Sequence, residues 1–346
     1  MSLKTQYENL GDLVINAVLA AELNRRGRFL GISNGAPADY VDDFQALAEQ
    51  LSGAPITCGE LRQMAPRILQ AAAGSGMTLV LSPGHNTLDQ PTRTRQILST
   101  ATHYGLGRLR ILQVGASFEG AFPETTRLYS QLRKAGHPLS VRDIISRNGF
   151  AERGINLPIV PDLAFGLQCS THNEGDIGLI AVREHKSQPY EQLRKTVAAI
   201  AVAMHAVQLE PVMFFQVSLD APLHARLAYD LGIRELNTGN HRPSFDEAMQ
   251  VYARAGAIVS NRLHGLLVAA AAGALPLPLL HPEERKIRGA LAEGELSGLI
   301  IEAEPECRKR TGELLARRSE LHNRIVVPAF ARCKQQLEDF FDGATG

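Results

Sequence analysis

The sequence predicts an α/β fold of two domains, each a largely parallel sheet covered by helices, with a cleft between them. Two observations lead there, and a third bounds the partners. Short apolar runs alternate with longer amphipathic or Ala-rich stretches along most of the chain, which is the rhythm of βα crossovers. The 346 residues exceed one ordinary core, and with 45% apolar content they can fill two. Lys plus Arg equals Asp plus Glu at 36 each, so no net field draws the chain to nucleic acid or an anionic bilayer.

The elements follow in chain order. A helix is expected over Leu13–Arg26, opened by Asn9-Leu10-Gly11-Asp12 and closed by Gly27, with Asp12 placed to cap it and Gly11 permitting close backbone approach. Next come a strand at Phe29–Ser33, a helix at Glu60–Ala73, a strand at Thr78–Ser82, a helix at Thr92–Tyr104 and a strand at Leu109–Val114. Short strands at Leu139–Val141 and Ile159–Val160 end the first half. The polar loop CSTHNEGD then leads into a strand at Ile177–Val182, a helix at Tyr190–Gln208, a strand at Val212–Val217 and a helix at Phe245–Arg254. A strand at Ala257–Ser260, a buried helix at Gly265–Ala274 and a strand at Leu275–Leu280 follow, and from Arg308 onward the chain reads as helical. The expected domains are 1–168 and 169–306, with 307–346 a helical segment packing back on the first.

The near-apolar run Leu266–Leu280 is broken by Gly273, Pro276 and Pro278 and falls short of the roughly 20 residues that span a bilayer, so no integral membrane segment is expected. No basic start followed by an apolar core marks a signal peptide, which points to the cytoplasm. Cys58, Cys169, Cys307 and Cys333 lie far apart, suggesting neither a zinc knuckle nor a disulfide framework.

In open parallel sheets ligands bind beyond the carboxyl ends of the strands. Arg142 in LSVRD, Arg183 in GLIAVRE, and Arg262 with His264 in AIVSNRLH all fall at such ends. A cation at a helix N-terminus costs a few tenths of a kcal/mol, on the order of the macrodipole effect, unless an anion stands near it. Arg262 therefore argues for an anion, from protein or ligand. Arg142 precedes Asp143 and Arg183 precedes Glu184, so structural ion pairs explain those two equally well. LVLSPGHNTLD carries His85, Asn86 and Asp89 on a small-residue loop, read as a plain turn or as a sugar-binding loop. His103, His137, His172, His205, His224 and His322 fall in no metal spacing and are read as surface or packing residues.

Taken in order, NLGD, SVRDIIS with Gly154 and VPDLAF, IGLIAVRE with a long helix, VMFFQVS, and AIVSNRLHGLLVAAAAGALPLPL trailed by Lys286 resemble the polysaccharide pyruvyl transferase family. The RLH core is the most specific piece. The resemblance implies two Rossmann-like domains of the GT-B kind, with the acceptor on 1–168 and the donor on 169–306. It implies transfer of the pyruvate unit of phosphoenolpyruvate to two hydroxyls of a sugar in an exopolysaccharide or cell-surface glycan precursor. A ketal forms and phosphate leaves; phosphoenolpyruvate is a co-substrate, and no cofactor or metal is called for. The partners implied are phosphoenolpyruvate and a glycan or lipid-linked saccharide, the latter compatible with a cytoplasmic enzyme peripheral to the inner face of the membrane.

Carried over, the family's RLH falls on Arg262, Leu263 and His264, its arginine before an acid and a serine on Arg142, Asp143 and Ser146, and its acid before an apolar pair on Asp162. Ketal formation needs a proton on the donor's methylene carbon and the loss of two from the sugar. His264 is the candidate acid or base, histidine being the residue type most used to move protons at neutral pH. Arg262 and Arg142 are expected to clamp the donor's anionic groups with help from Arg183, and Asp12 or Asp89 to orient or deprotonate the sugar. Asn9, Gly11, His85 and Lys286 are expected to line the substrate site. Two departures stand out: Ser82-Pro83-Gly84-His85 replaces a Gly-rich triplet, and only Leu3–Tyr7 is left for a first strand. Other functions open to such a chain are a nucleotide-sugar glycosyltransferase and a glycan-binding protein without turnover.

Overall fold

The structure, a computed structural model, describes all residues except 4, 74–76, 87–108, 119–122, 186, 238, 305–306 and 346. Asp89 and the helix expected at Thr92–Tyr104 lie outside the described residues. The chain divides into two compact units: Met1–Thr5, Ile15–Leu163 and Gln335–Gly346 form the first, and Gln6–Val14 with Ala164–Lys334 form the second.

In the first unit β1 (Leu30–Ile32) pairs in parallel with β2 (Thr57–Gly59). β3 (Met77–Val80) pairs with β5 (Leu109–Leu112), and β4 (Gly84–Asn86) with β6 (Ala116–Phe118), again in parallel. The strands expected at Thr78–Ser82 and Leu109–Val114 thus break in step. Pro83 has no N–H to offer a ladder, and the Gly84 N–H donates to the Gly115 carbonyl at 2.9 Å, the two glycines at φ +91° and +68°, where only glycine turns freely. The departure at SPGH is therefore a kink between two strand segments. The first strand is shorter than expected: Ser2 bridges Ile32 in parallel and the Leu3 N–H donates to the Ile32 carbonyl at 2.9 Å, whereas Gln6–Val14 belongs to the second unit. At Leu139–Val141 and Ile159 only single bridges form, Gln113 to Leu139 and Val141 to Ile159.

The core of this unit gathers Ile111, Phe118, Tyr129, Leu139, Phe150 and Leu157. Phe118 meets Tyr129 and Phe150 edge-on at 5.4 and 5.1 Å between ring centres. Beside that core lies a polar network. Arg142 Nη1 donates to Asp162 Oδ2 at 2.6 Å and its Nε to Ser117 Oγ at 2.7 Å, with the guanidinium residue only 8% exposed. Asp143 does not pair with Arg142. It caps the Ile144–Ala151 helix, accepting the Ser146 N–H at 2.7 Å, and the Ser117 hydroxyl also reaches it.

The second unit is a six-stranded parallel sheet in the order β12-β11-β10-β7-β8-β9. Its strands are β7 (Ile177–Ala181), β8 (Glu210–Met213), β9 (Arg234–Glu235), β10 (Ala255–Ser260), β11 (Leu275–Leu280) and β12 (Ile301–Glu302). Counted within the unit this is 6-5-4-1-2-3, the doubly wound Rossmann order, whose direction reverses between β7 and β10. Pro276 and Pro278 fit inside β11 because alternate N–H groups point the same way, and β12 meets β11 only at Leu279 and Leu280. The Leu263–Ala271 helix, apolar on every side, is buried throughout save at His264. β8 ends at Met213, four residues before the expected Val217, because residues 216–218 leave the sheet to hold another segment.

Candidate functional site

That segment is Gln6–Val14. Asn9 bridges Val217, the Leu10 N–H donates to the Gln216 carbonyl at 3.2 Å, and the Ser218 N–H donates to the Glu8 carbonyl at 3.2 Å. Arg242 adds a further tie through Nε to the Tyr7 carbonyl at 2.8 Å. The cap is Asn9, not Asp12 as expected: Asn9 Oδ1 accepts the Gly11 N–H at 2.9 Å where the Leu10–Arg26 helix begins. Asp12 lies in the first turn, favourable to a carboxylate, and accepts Asn9 Nδ2 at 3.1 Å.

Gly11 is explained by His264. A Cβ built on Gly11 would lie 2.5 Å from His264 Cβ and 2.6 Å from its Nδ1, closer than side chains pack. The backbone at Gly11 thus rests against the half-buried histidine, and the loop cannot take a larger residue there. Gly265 repeats the pattern, for a Cβ there would come within 2.7 Å of Gln216 Nε2. Gln216 is held in place by the Tyr252 hydroxyl, which donates to its Oε1 at 3.0 Å. Gly11→Ala is expected to destabilise the protein by about 1–3 kcal/mol through overpacking, read from urea unfolding as a lower midpoint at unchanged slope.

Arg262 is the N-cap residue of the Leu263–Ala271 helix, and its side chain caps nothing. The anion that its position demands comes from the protein: Nε donates to Asp220 Oδ2 at 2.9 Å and Nη2 to Asp220 Oδ1 at 2.5 Å, a two-pronged pair in which Asp220 is 7% exposed. Nη1 stays outside that fork. Arg183 stands across the reversal point. Asn261 joins the two strand ends, accepting the Arg183 N–H at 2.8 Å and donating to the Arg183 carbonyl at 2.9 Å. Arg183 pairs with Glu284 rather than the adjacent Glu184, at 3.1 Å, and its Nε is buried without a partner. Lys286 lies in the first turn of the Arg285–Glu293 helix beyond β11.

Behind this edge, His224 is fully buried with Nε2 2.9 Å from the Val182 carbonyl, one residue before Arg183. The Val182 N–H lies 3.2 Å from the same Nε2, so the tautomer decides whether that nitrogen donates or accepts, and Nδ1 is buried without a partner. Burial pushes its pKa down to about 4. An unfolded chain binds that proton near pH 6.5 and the folded one does not, so stability present above pH 6.5 is lost as pH falls toward 4. Between those limits His224 is expected to contribute a slope of about 1.4 kcal/mol per pH unit, flattened in His224→Gln and measured by urea unfolding at several pH values.

The structure therefore brings Asn9, Gly11, Asp12, Arg183, Arg262, His264 and Lys286 into one unit, and places Arg142 and the strand residue His85 in the other. Sequence reasoning missed Asp220, Gln216 and Asn261. Asp220 had a signal, an acid just after an expected strand and before Pro222; Asn261 sits next to the motif itself.

Two cationic side chains and a histidine thus stand at the reversal point of a doubly wound sheet, the place where such sheets take ligands, and the chain has the GT-B fold. Solved structures share that fold. A UDP-N-acetylglucosamine 2-epimerase from Listeria monocytogenes superposes at TM-score 0.52 with 13% identity, covering 99% of this chain and 96% of the other. The Neisseria meningitidis UDP-GlcNAc 2-epimerase bound to UDP-GlcNAc gives 0.52 with 11% identity over 96% and 97%. Anabaena HepE in complex with UDP-glucose gives 0.51 with 12% identity over 97% and 94%. No curated protein matches the sequence. Residues 9–274 match the family Polysaccharide pyruvyl transferase, and the chain belongs to it. It is a transferase. Among the described residues no helix is long and apolar enough to cross a membrane.

Proposed function

We propose that the second unit binds phosphoenolpyruvate at the carboxyl edge of its sheet and transfers the pyruvate unit to two hydroxyls of a sugar in a glycan precursor. The observation that carries this reading is Arg262, set by Asp220 at the start of a buried helix with His264 two residues on, at the reversal point of the sheet. A carboxylate and a phosphate on one small frame call for convergent guanidinium groups, and Arg262 and Arg183 are the donors. N–H groups of the first helical turn, which have no acceptor within the helix, add to them.

In the reaction the methylene carbon takes one proton and becomes a methyl group. Both sugar oxygens bond to the adjacent carbon, and the bond from that carbon to the phosphate oxygen breaks. The second hydroxyl proton leaves with phosphate, so the atoms balance. His264 moves the proton at the methylene carbon or at a hydroxyl, and Asp12 orients the sugar. Asn9, Gly11 and Lys286 line the site; within the first unit Arg142 is the residue that the family pattern assigns to substrate, and His85 and Asp89 belong to the loop read as sugar-binding. No cofactor enters these steps. The acceptor is a glycan or lipid-linked saccharide precursor of an exopolysaccharide or cell-surface polymer, met in the cytoplasm at the membrane's inner face.

The nucleotide-sugar complexes among the similar folds make a glycosyltransferase the reading to test against. Phosphoenolpyruvate at 100 times its dissociation constant is expected to stabilise the protein by about 2.7 kcal/mol in thermal melts, and UDP-sugars to leave it unchanged. Mass spectrometry on a panel of galactosides, mannosides and glucosides is expected to find the pyruvate ketal. Protection by UDP-sugars alone, with no ketal product, would replace this reading with the glycosyltransferase one.

A further inference from the structure

Two loops at the carboxyl edge of the same sheet carry a group that the proposed reaction does not use. His185 follows β7 and His281 follows β11, and their rings stack with centres 4.7 Å apart and planes 21° from parallel. Glu283 completes the group: one ligand atom from each of the three residues lies within 4.8 Å of the others. The carboxylate already links the two loops, because the Ser187 hydroxyl donates to Glu283 Oε2 at 2.8 Å. Among the described residues each ring accepts one long bond from its own loop, the Ser187 N–H to His185 Nδ1 at 3.3 Å and the Glu283 N–H to His281 Nδ1 at 3.4 Å, and His281 Nδ1 lies 4.0 Å from Glu283 Oε2. The nearby guanidinium of Arg183 is paired with Glu284, which also accepts the His281 N–H at 2.9 Å, so its charge is offset.

Two imidazoles and a carboxylate suit a borderline divalent cation rather than magnesium or calcium, which take oxygen donors. Both rings are half-buried and Glu283 is exposed, so an ion has an open path to them. Metal–nitrogen bonds are about 2.0–2.1 Å, so the ligand atoms must close by roughly 1 Å, which a turn of each ring supplies at the expense of the stack and the long bonds.

We propose that His185, His281 and Glu283 together bind one divalent transition-metal cation, of the class of Zn²⁺, Ni²⁺ or Co²⁺, and so tie the β7 loop to the β11 loop. The two loops are far apart in sequence, and histidine spacing therefore carries no trace of the site. Ser187 orients the carboxylate, and Ser187→Ala is expected to weaken binding about tenfold, as partners of metal ligands commonly do.

The test uses the full chain stripped with EDTA and titrated separately with ZnCl₂, NiCl₂ and CoCl₂, followed by calorimetry, thermal melting and, for cobalt, the visible absorption of a nitrogen- and oxygen-bound ion. The expected result is one equivalent bound with a raised melting midpoint. Binding is expected to vanish in His185→Ala and in His281→Ala, to weaken in Glu283→Gln, and to persist in His172→Ala, which alters the other close histidine pair, at 5.6 Å from His322. Both alanine variants change exposed or half-buried loop positions and keep the metal-free melting curve. No binding by the parent, or binding that survives in both His185→Ala and His281→Ala, overturns the proposal. Loss in His172→Ala alone also overturns it. None of these readouts depends on pyruvyl transfer, so the proposal stands or falls apart from the reaction.

Discussion

Arg262→Lys is expected to lower kcat/KM for phosphoenolpyruvate by about 10²–10³. A lysine ammonium is a point charge and cannot keep two parallel bonds to Asp220 while presenting a further N–H to an anion. Two charge-assisted hydrogen bonds are together worth about 3–4 kcal/mol, and each 1.36 kcal/mol is tenfold in rate. Asp220→Asn is expected to cost less, about tenfold, because the amide still accepts one bond while the fork loses its anchor. The double variant is expected to fall well short of the product of the two losses, since both act on one guanidinium. Steady-state kinetics with phosphoenolpyruvate and an accepted sugar give all three numbers. Turnover within a few-fold of the parent in both Arg262→Lys and His264→Ala would remove the site from consideration.

Arg142→Met is expected to destabilise the first unit by about 3–5 kcal/mol, because it takes from the Asp162 carboxylate, 1% exposed, the guanidinium that meets it at 2.6 Å. The Ser117 hydroxyl loses a donor at the same time. Replacing both partners, as Arg142→Met with Asp162→Leu, is expected to restore most of that stability, since an apolar pair of similar volume does not need the interaction. Urea unfolding measures both. The folded double variant also separates two roles for Arg142: ketal formation lost in a stable protein assigns it to the substrate, and ketal formation kept assigns it to packing alone. The family pattern places Arg142, Asp143, Ser146 and Asp162 in motifs, and their contacts account for each within the first unit by an ion pair and a helix cap.

The strand and helix rhythm was legible because burial on both faces of a parallel sheet leaves uninterrupted apolar runs, and β11 was read at Leu275–Leu280, where it lies. Helices at Ala38–Ser52, Pro123–Lys134 and Ala221–Leu231 escaped notice, their apolar stripes being diluted by acids and prolines. Strand ends were less legible than strands. β8 gives way at Met213 since Gln216 and Val217 serve the Gln6–Val14 segment, a partner more than 200 residues distant in the chain, so no local signal marks the change. The paired kink at Gly84 and Gly115 is similarly a property of two strands bent together.

Residue pattern alone settled the α/β class, the family and which side chains fall beyond strand ends, because periodicity and motif are written in neighbouring positions. It could say that Arg262 needs an anion but not which one. Asp220, Glu284 and Asp162 became the partners of Arg262, Arg183 and Arg142 only through packing, and for Arg183 and Arg142 the adjacent acid in sequence was passed over. Asn9 took the cap from Asp12, and Gly11 proved to be a contact with His264, for the same reason. Ion pairs and close approaches depend on distances of about 3 Å in space, and a chain that crosses its sheet six times sets those distances independently of order along the sequence.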